Sequence, residues 1–149
     1  RINVDDLVFH YGERGRFAAD DAEVGLLIGA RKLGYRVSKL PPGGSFCPLH
    51  SHAAEEEFFF VLQGNPSIRT LRGTIVCRPG DFIAFPVGER GTHELRNDSG
   101  EPSMVMLVGN SEATEICSYP DSQKVSVDTR GSVGLILRSS PVLDYYDGE

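Results

Sequence analysis

The spacing of glycine and proline constrains the fold of this chain more than any other feature. Seventeen glycines and nine prolines divide the 149 residues into short segments, and most of these segments suit a β-strand better than a helix. Ten segments have the apolar or alternating character of strands: 33–40, 46–52, 57–63, 67–71, 74–77, 82–85, 92–97, 103–108, 114–119 and 133–138. Many short strands at such spacing predict an all-β sandwich or barrel.

The segments outside these strands receive three further predictions. Residues 18–28 are the single candidate for a helix, which Gly25 weakens. Residues 120–132 are polar and predict a loop, and the C-terminal arm 139–149 is expected to lie on a partner. With no linker or internal repeat, residues 1–149 are interpreted as a single domain.

Charge and composition exclude several kinds of partner. The chain has 15 basic and 21 acidic residues and a formal net charge of −6, so we expect no nucleic-acid partner. No apolar run approaches the ~18 residues of a transmembrane helix, so we expect no membrane partner. Three widely spaced cysteines form neither a disulfide framework nor a Cys-x-x-Cys pair and suit a cytoplasmic protein.

Three of the four histidines and one glutamate form a candidate metal site. His50 and His52 are two residues apart on a predicted strand, so their side chains share a face. Glu57 opens the next strand and His93 opens another, and in a barrel these strands can be neighbours. Imidazoles with one carboxylate suit a borderline divalent metal ion.

Strand parity distinguishes the residues beside these candidates. Glu57 shares its face with Phe59, whereas Glu56 points to the opposite face, so Glu57 is the predicted metal ligand. By the same argument Cys47 is expected to face away from His50 and to be a small buried hydrophobic residue. His10, the fourth histidine, is expected at the surface.

Five residues with fixed spacing make up a first motif over residues 44–64. They are Gly44, His50, His52, Glu57 and Gly64. The spacing between successive members matches the first sequence motif of the cupin superfamily, which this chain therefore resembles.

A second motif spans residues 80–97. It consists of Gly80, Pro86, Gly88, His93 and Asn97, and it is similar to the second cupin motif. Four residues separate Gly88 from His93 where two are usual, so the loop geometry is expected to differ. Asn97 is expected to be structural, joining backbone groups across a turn.

The resemblance implies a cupin-type jelly-roll, a double-stranded β-helix barrel. It also implies one divalent transition metal ion (Zn, Fe, Mn or Ni) held by His50, His52, Glu57 and His93, a small-molecule ligand and a homodimer. Phe58 and Phe60 on one side of their strand, with Phe59 and Val61 on the other, support the dimer, because a sheet that is apolar on both faces needs two partners. The 139–149 arm could supply that cover instead.

Three functions remain open on these residues. A sugar-phosphate-isomerase-like enzyme is favoured, with Arg69, Arg78 and Arg96 as candidates to hold a phosphate. The alternatives are an Fe-dependent dioxygenase and a non-catalytic small-molecule binding or sensing module. No segment fits a helix-turn-helix, which disfavours the sensing role. Catalytic residues stay unassigned, with Tyr35, Lys39 and His10 as undistinguished candidates for an acid or base.

Overall fold

The computed structural model describes residues 1–129 and 134–148, and its regular elements are mostly β-strands. The described ranges hold thirteen strands: His10–Arg14 (β1), Phe17–Glu23 (β2), Leu33–Leu40 (β3), Ser51–His52 (β4), Glu57–Gln63 (β5), Ser67–Thr70 (β6), Gly73–Val76 (β7), Phe82–Phe85 (β8), His93–Arg96 (β9), Ser103–Asn110 (β10), Thr114–Tyr119 (β11), Lys124–Thr129 (β12) and Leu135–Arg138 (β13). They are accompanied by the helix Val24–Ile28 (α1) and by 3-10 turns at Val4–Asp6, Glu89–Gly91 and Pro120–Ser122. Within these ranges, no helix has the length and apolar character needed to cross a membrane.

The strands form two antiparallel layers that close into a jelly-roll barrel. One layer is a six-stranded sheet in the order β1-β2-β3-β10-β5-β8. The other joins a four-stranded sheet, β13-β12-β11-β4, to a three-stranded sheet, β7-β6-β9. The joint is a bridge in which His50 and His93 each donate a backbone N–H to the carbonyl of the other.

Buried side chains from both layers pack into one core. Its members are Leu40, Phe59, Val61, Ile68, Cys77, Phe85, Leu95, Val105 and Leu107. Asn97 is fully buried and donates hydrogen bonds to the carbonyls of Leu40 and Glu101 at 3.0 and 2.8 Å, which confirms its predicted structural role.

Four predicted strands coincide with observed ones: 33–40, 57–63, 82–85 and 114–119. Glycine ends one of them, because Gly64 has a φ of 76° and a side chain there would lie 2.6 Å from the carbonyl oxygen of Pro102. Apart from 46–52, the other predicted strands differ from the observed ones by one or two residues at their ends, and residue 133 of the last one lies outside the described ranges.

Two predictions for the connecting segments are wrong. Residues 18–28 are not one helix: β2 occupies most of this range because it pairs with both β1 and β3, and only α1 is helical. Residues 120–132 are not one loop, because β12 pairs with β11 on one side and β13 on the other. Pairing with the strands that precede and follow in the chain overrides the local signal in both cases.

The predicted strand 46–52 is mostly irregular. Only Ser51–His52 forms a strand, while Ser45 and His50 make isolated bridges. Pro48 lies between these bridges and has no N–H to donate to a ladder, so regular pairing stops there.

Candidate metal centre

The three predicted histidines and Glu57 converge between the two layers of the barrel. Glu57 Oε2 lies 3.0 Å from His93 Nε2, 3.2 Å from His52 Nε2 and 3.9 Å from His50 Nε2. His93 is fully buried and His50 is 8% exposed. Glu56, by contrast, is exposed, so the structure places Glu57 against the imidazoles as strand parity predicted.

Backbone carbonyls orient two of the imidazole rings. His50 Nδ1 lies 2.9 Å from the carbonyl oxygen of Pro48, and His93 Nδ1 lies 2.8 Å from that of Gly91. A carbonyl can only accept a hydrogen bond, so each Nδ1 donates one. In the neutral ring the Nε2 lone pair then faces Glu57, as a metal ligand requires.

The longer loop of the second motif forms a compact turn before His93. Residues Glu89–Gly91 take up the additional length as a 3-10 turn. Gly91 packs so tightly that a side chain would overlap the carbonyl oxygen of Pro86. The altered spacing therefore leaves His93 beside Glu57.

Glu115 on β11 fixes the loop between His52 and Glu57, and the sequence analysis missed it. Its two carboxylate oxygens accept hydrogen bonds from the backbone N–H groups of residues 53–55 at 2.6 to 3.3 Å. It is 8% exposed, and its Oε2 lies 3.8 Å from His52 Nδ1. The sequence signal that could have revealed Glu115 is the presence of an acidic residue on the inward face of a predicted strand.

The electrostatics of the site favour one negative carboxylate among the imidazoles. Burial raises the pKa of the Glu57 carboxyl, but His52 and His93 lower it further, so the net pKa falls well below its usual value. Burial and the neighbouring histidines lower the pKa of His50 to about 4. Burial also lowers the pKa of His52, but Cys117 and Glu57 beside it outweigh burial and raise it to about 10.

The buried donor atoms fit a divalent metal ion. Among the described residues, His52 Nε2, His93 Nε2 and Glu57 Oε2 are buried, and although each Nε2 lies 3.0–3.2 Å from Glu57 Oε2, none of the three makes a well-formed hydrogen bond. Burying such atoms without a partner costs free energy. A cation bound between them would satisfy all three, and two or three nitrogen ligands with a carboxylate suit Zn, Fe, Mn or Ni.

Two cysteines lie behind the imidazoles. Cys117 Sγ is 3.4 Å from His52 Nδ1, and Cys47 Sγ is 3.6 Å from His50 Nδ1. The prediction that Cys47 faces away from His50 is wrong, because strand parity does not hold through the irregular segment at Pro48. Burial raises the pKa of the Cys47 thiol, so this sulfur stays protonated and is a poor metal ligand.

Several cavities border this cluster, and two of them are lined by residues that bear on its chemistry. The first, about 240 Å³, contains Glu57, and its walls include Tyr35, Arg36 and Phe46. The second, about 410 Å³, contains His52 and has Tyr119 in its wall. A small molecule could therefore approach the ligand atoms.

Tyr119 is a second residue that the sequence analysis missed. Its ring stacks on His50 with centroids 6.0 Å apart, and its hydroxyl lies 3.5 Å from Ser126 Oγ. Burial raises the pKa of the Tyr119 phenol, so it carries its proton at neutral pH.

The three arginines predicted to hold a phosphate are engaged elsewhere. Arg69 pairs with Glu94 and with Asp121, and Arg96 pairs with Asp98. Arg78 lies 3.9 Å from Asp81 in a surface ion pair, and its side chain is 84% exposed. None of the three lines a cavity at the cluster, so nothing in the structure supports their predicted role.

Of the three candidate acids or bases, only Tyr35 lies in a wall at the site. The Lys39 amine lies 3.7 Å above the ring of Phe9. His10 opens β1 and is exposed, as predicted.

Sequence comparison identifies the family. Residues 36–109, about half of the chain, match the model of the Cupin domain family, and this range contains all four candidate ligands. The chain belongs to the cupin superfamily. The resemblance seen in the two motifs is thereby confirmed.

Solved structures share the whole fold of this cupin. A candidate sugar phosphate isomerase from Acidithiobacillus ferrooxidans superposes with a TM-score of 0.88, at 19% identity, over 97% of this chain and 95% of the other. A sugar phosphate isomerase of the cupin superfamily from Silicibacter pomeroyi superposes with a TM-score of 0.84, at 23% identity, over 99% and 98%. Identities this low show a common fold.

A curated relative is similar in sequence. Dimethylsulfoniopropionate lyase DddQ from Ruegeria pomeroyi is 27% identical over 120 residues, which are 75% of this chain and 49% of the lyase. The chain spans about half the length of the curated relatives it matches.

Proposed function

We propose that this cupin is a metal-dependent enzyme acting on a small anionic or chelating metabolite. The convergence of the buried imidazole Nε2 atoms on Glu57 Oε2, with no well-formed hydrogen bond to any of them, carries the proposal. His50, His52, Glu57 and His93 would hold one divalent ion. Three neutral imidazoles and one carboxylate leave a divalent ion with about one net positive charge, which attracts an anionic ligand.

The chain's own residues prepare the site for substrate. A bound divalent ion supplies Lewis-acid chemistry, polarising a carbonyl or stabilising an enolate. Backbone carbonyls hold the His50 and His93 rings with Nε2 facing Glu57. Glu115 fixes the loop that places Glu57, and Tyr119 keeps a proton at Oη in the wall of the second cavity.

A sugar-phosphate-isomerase-like reaction is the class we favour. It needs a site that stabilises an enediolate and a group that can hold a proton, and the cluster with Tyr119 offers both. The names of the two structures that share the whole fold support it. A lyase is the second candidate, because of the 27% identity to dimethylsulfoniopropionate lyase.

Hydrogen exchange tests the reaction class. The protein is loaded separately with Zn, Mn, Ni or Fe and incubated with aldose and ketose phosphates in D₂O. The proposal predicts deuterium at the carbon beside the carbonyl, seen by NMR, and its loss in His93→Ala. Oxygen consumption with the iron form alone would indicate a dioxygenase, and ligand binding with neither reaction would indicate a non-catalytic module.

We also propose that the chain forms a homodimer in the cytoplasm. The rings of Phe58 and Phe60 pack against Phe82 on the outer face of the six-stranded sheet, and Phe82 is 74% exposed. The described part of the C-terminal arm leaves Phe82 exposed, and Val142 on the arm is itself 90% exposed. A second copy of the chain would bury this apolar face. The cytoplasmic location is supported by the free cysteines, which suit a reducing compartment.

A further inference from the structure

Arg36 lies on the inner face of the barrel, beside the candidate metal ligands. In the register of the six-stranded sheet it pairs with Glu23 on β2 and with Leu107 on β10, and Leu107 pairs with Phe59 on β5. Residues opposite one another in adjacent strands share a face. Leu107 and Phe59 are core residues, 5% and 1% exposed, so Arg36 belongs to the same inward row.

The surroundings of Arg36 are acidic. Glu23, Glu55 and Glu57 line the same 240 Å³ cavity, and Arg36 is the single Arg or Lys among the described residues of its wall. Carboxylates repel an anionic ligand, so an anion can bind here only where a cation compensates them. Arg36 and a metal ion at Glu57 are the two cations that can compensate the negative charge of these carboxylates.

The guanidinium of Arg36 is oriented yet available. It lies 5.5 Å from the centre of the Phe46 ring, a cation–π contact that fixes its plane. It also pairs with Glu23, and the two side chains are 39% and 44% exposed. Ion pairs this exposed contribute little free energy, so an incoming oxyanion can replace Glu23 at small cost.

We infer that Arg36 is an oxyanion-binding residue that selects ligands carrying a carboxylate or a phosphate. The planar guanidinium donates paired hydrogen bonds to such a group. The opposite end of the ligand then lies toward Glu57 and the imidazoles. This inference deepens the proposed function and rests on it, because the cavity is shared with the candidate metal ligand Glu57.

Ligand titrations of zinc-loaded and metal-free protein test the inference. The probes are lactate, which has a carboxylate, glycerol 3-phosphate, which has a phosphate, and neutral glycerol. The variants are Arg36→Gln and Glu23→Gln, with Arg96→Gln as the control, because Arg96 pairs with Asp98 away from the cavity. Dissociation constants come from NMR shifts, and zinc content is measured in every sample.

Arg36→Gln is expected to weaken binding of at least one anion by about tenfold or more, with glycerol binding and zinc content unchanged. Glu23→Gln should tighten anion binding a few-fold, and Arg96→Gln should match wild type. The anion that responds identifies carboxylate or phosphate as the recognised group.

Wild-type affinity for both anions in Arg36→Gln, equal loss in Arg96→Gln, or no measurable anion binding by the wild-type protein would overturn the inference. Failure of the metal proposal looks different. In that case zinc is absent from every sample, while the metal-free protein still shows the dependence on Arg36.

Discussion

At the scale of single residues, the charge on Glu57 is the feature that most distinguishes the cluster from a set of buried histidines. Glu57→Gln keeps the size of the side chain and removes the carboxylate that faces the three Nε2 atoms. We expect it to weaken metal binding by at least ~10–100-fold, the loss typical even of groups that only support a ligand. Competition with a chelating dye measures the change.

Glu56→Gln is the matched control, because this neighbouring side chain is exposed. Metal content should be unchanged and stability should stay within ~0.5 kcal/mol of wild type. Reversed results for the two variants would mean that β5 is out of register by one residue, and every inward assignment on it would change.

The pH dependence of metal binding follows from His52. Its pKa is raised to about 10 in the metal-free protein, so at neutral pH it is protonated and must lose that proton to ligate. The pKa of His50 is lowered to about 4, so this ring is already neutral at pH 7. Metal affinity should therefore rise with pH by about tenfold per unit through pH 7 to 9, above the range near 6.5 where an unperturbed imidazole titrates.

Calorimetry in buffers of different ionisation enthalpy counts the protons released. We expect about one proton from His52 for each metal ion bound at pH 7.5. An affinity that does not change between pH 7 and 9, with no proton release, would contradict this assignment.

The residues that the sequence revealed are those set by local geometry. His50, His52 and Glu57 lie within eight residues, and motif spacing singles out His93; the structure brings all four together. Their role as metal ligands remains a prediction. Glu115 and Arg36 could not be found in this way, because each reaches the site only through pairing with a distant strand.

At the scale of elements, the loop between β4 and β5 depends on β11. In wild type, two carboxylate oxygens of Glu115 accept the hydrogen bonds from the backbone N–H groups of residues 53–55. Glu115→Gln leaves a single carbonyl oxygen as acceptor and places an amide N–H₂, which is itself a donor, against these backbone donors. Because hydrogen bonds to a charged group are the stronger kind, we expect a loss of about 1.5–3 kcal/mol in the free energy of unfolding and weaker metal binding. Urea denaturation and a metal titration measure the two effects.

Glu112→Gln serves as the control for this loop. It changes an exposed carboxylate three residues away, which accepts a hydrogen bond from Asn110 Nδ2 at 2.7 Å. Equal destabilisation by both variants would show that Glu115 has no special part in holding the loop.

Elements with a strong local pattern were predictable, and elements defined by their partners were not. β5 and β8 have apolar runs bounded by glycine or proline, and their observed bounds match the predicted ones. The small and acidic residues of β2 are equally compatible with a helix. Pairing with β1 and β3 makes this segment a strand. β12 alternates Val125 and Val127 with polar residues, a signal hidden by the polar surroundings of the segment.

At the scale of the whole molecule, the exposed aromatic face formed by Phe58, Phe60 and Phe82 determines the oligomeric state we expect. Phe82→Glu places a charge on this face and should convert a dimer into a particle of one 16.3 kDa chain. Light scattering at micromolar concentration measures the mass. Ile136→Glu, on β13 of the other layer and equally open at 67% exposed, should remain a dimer. A wild-type protein that is already monomeric would refute the dimer.

Metal content is the measurement that tests the central claim most directly. Elemental analysis of protein purified without chelators, or loaded with Zn, Fe, Mn or Ni, should find about one transition-metal ion per chain. His52→Ala and His93→Ala should lose that ion while circular dichroism still shows a folded β-protein, and His10→Ala, at an exposed histidine outside the cluster, should keep it. A wild-type chain that holds no transition metal under any of these conditions, or variants that bind it as tightly as wild type, would contradict the account.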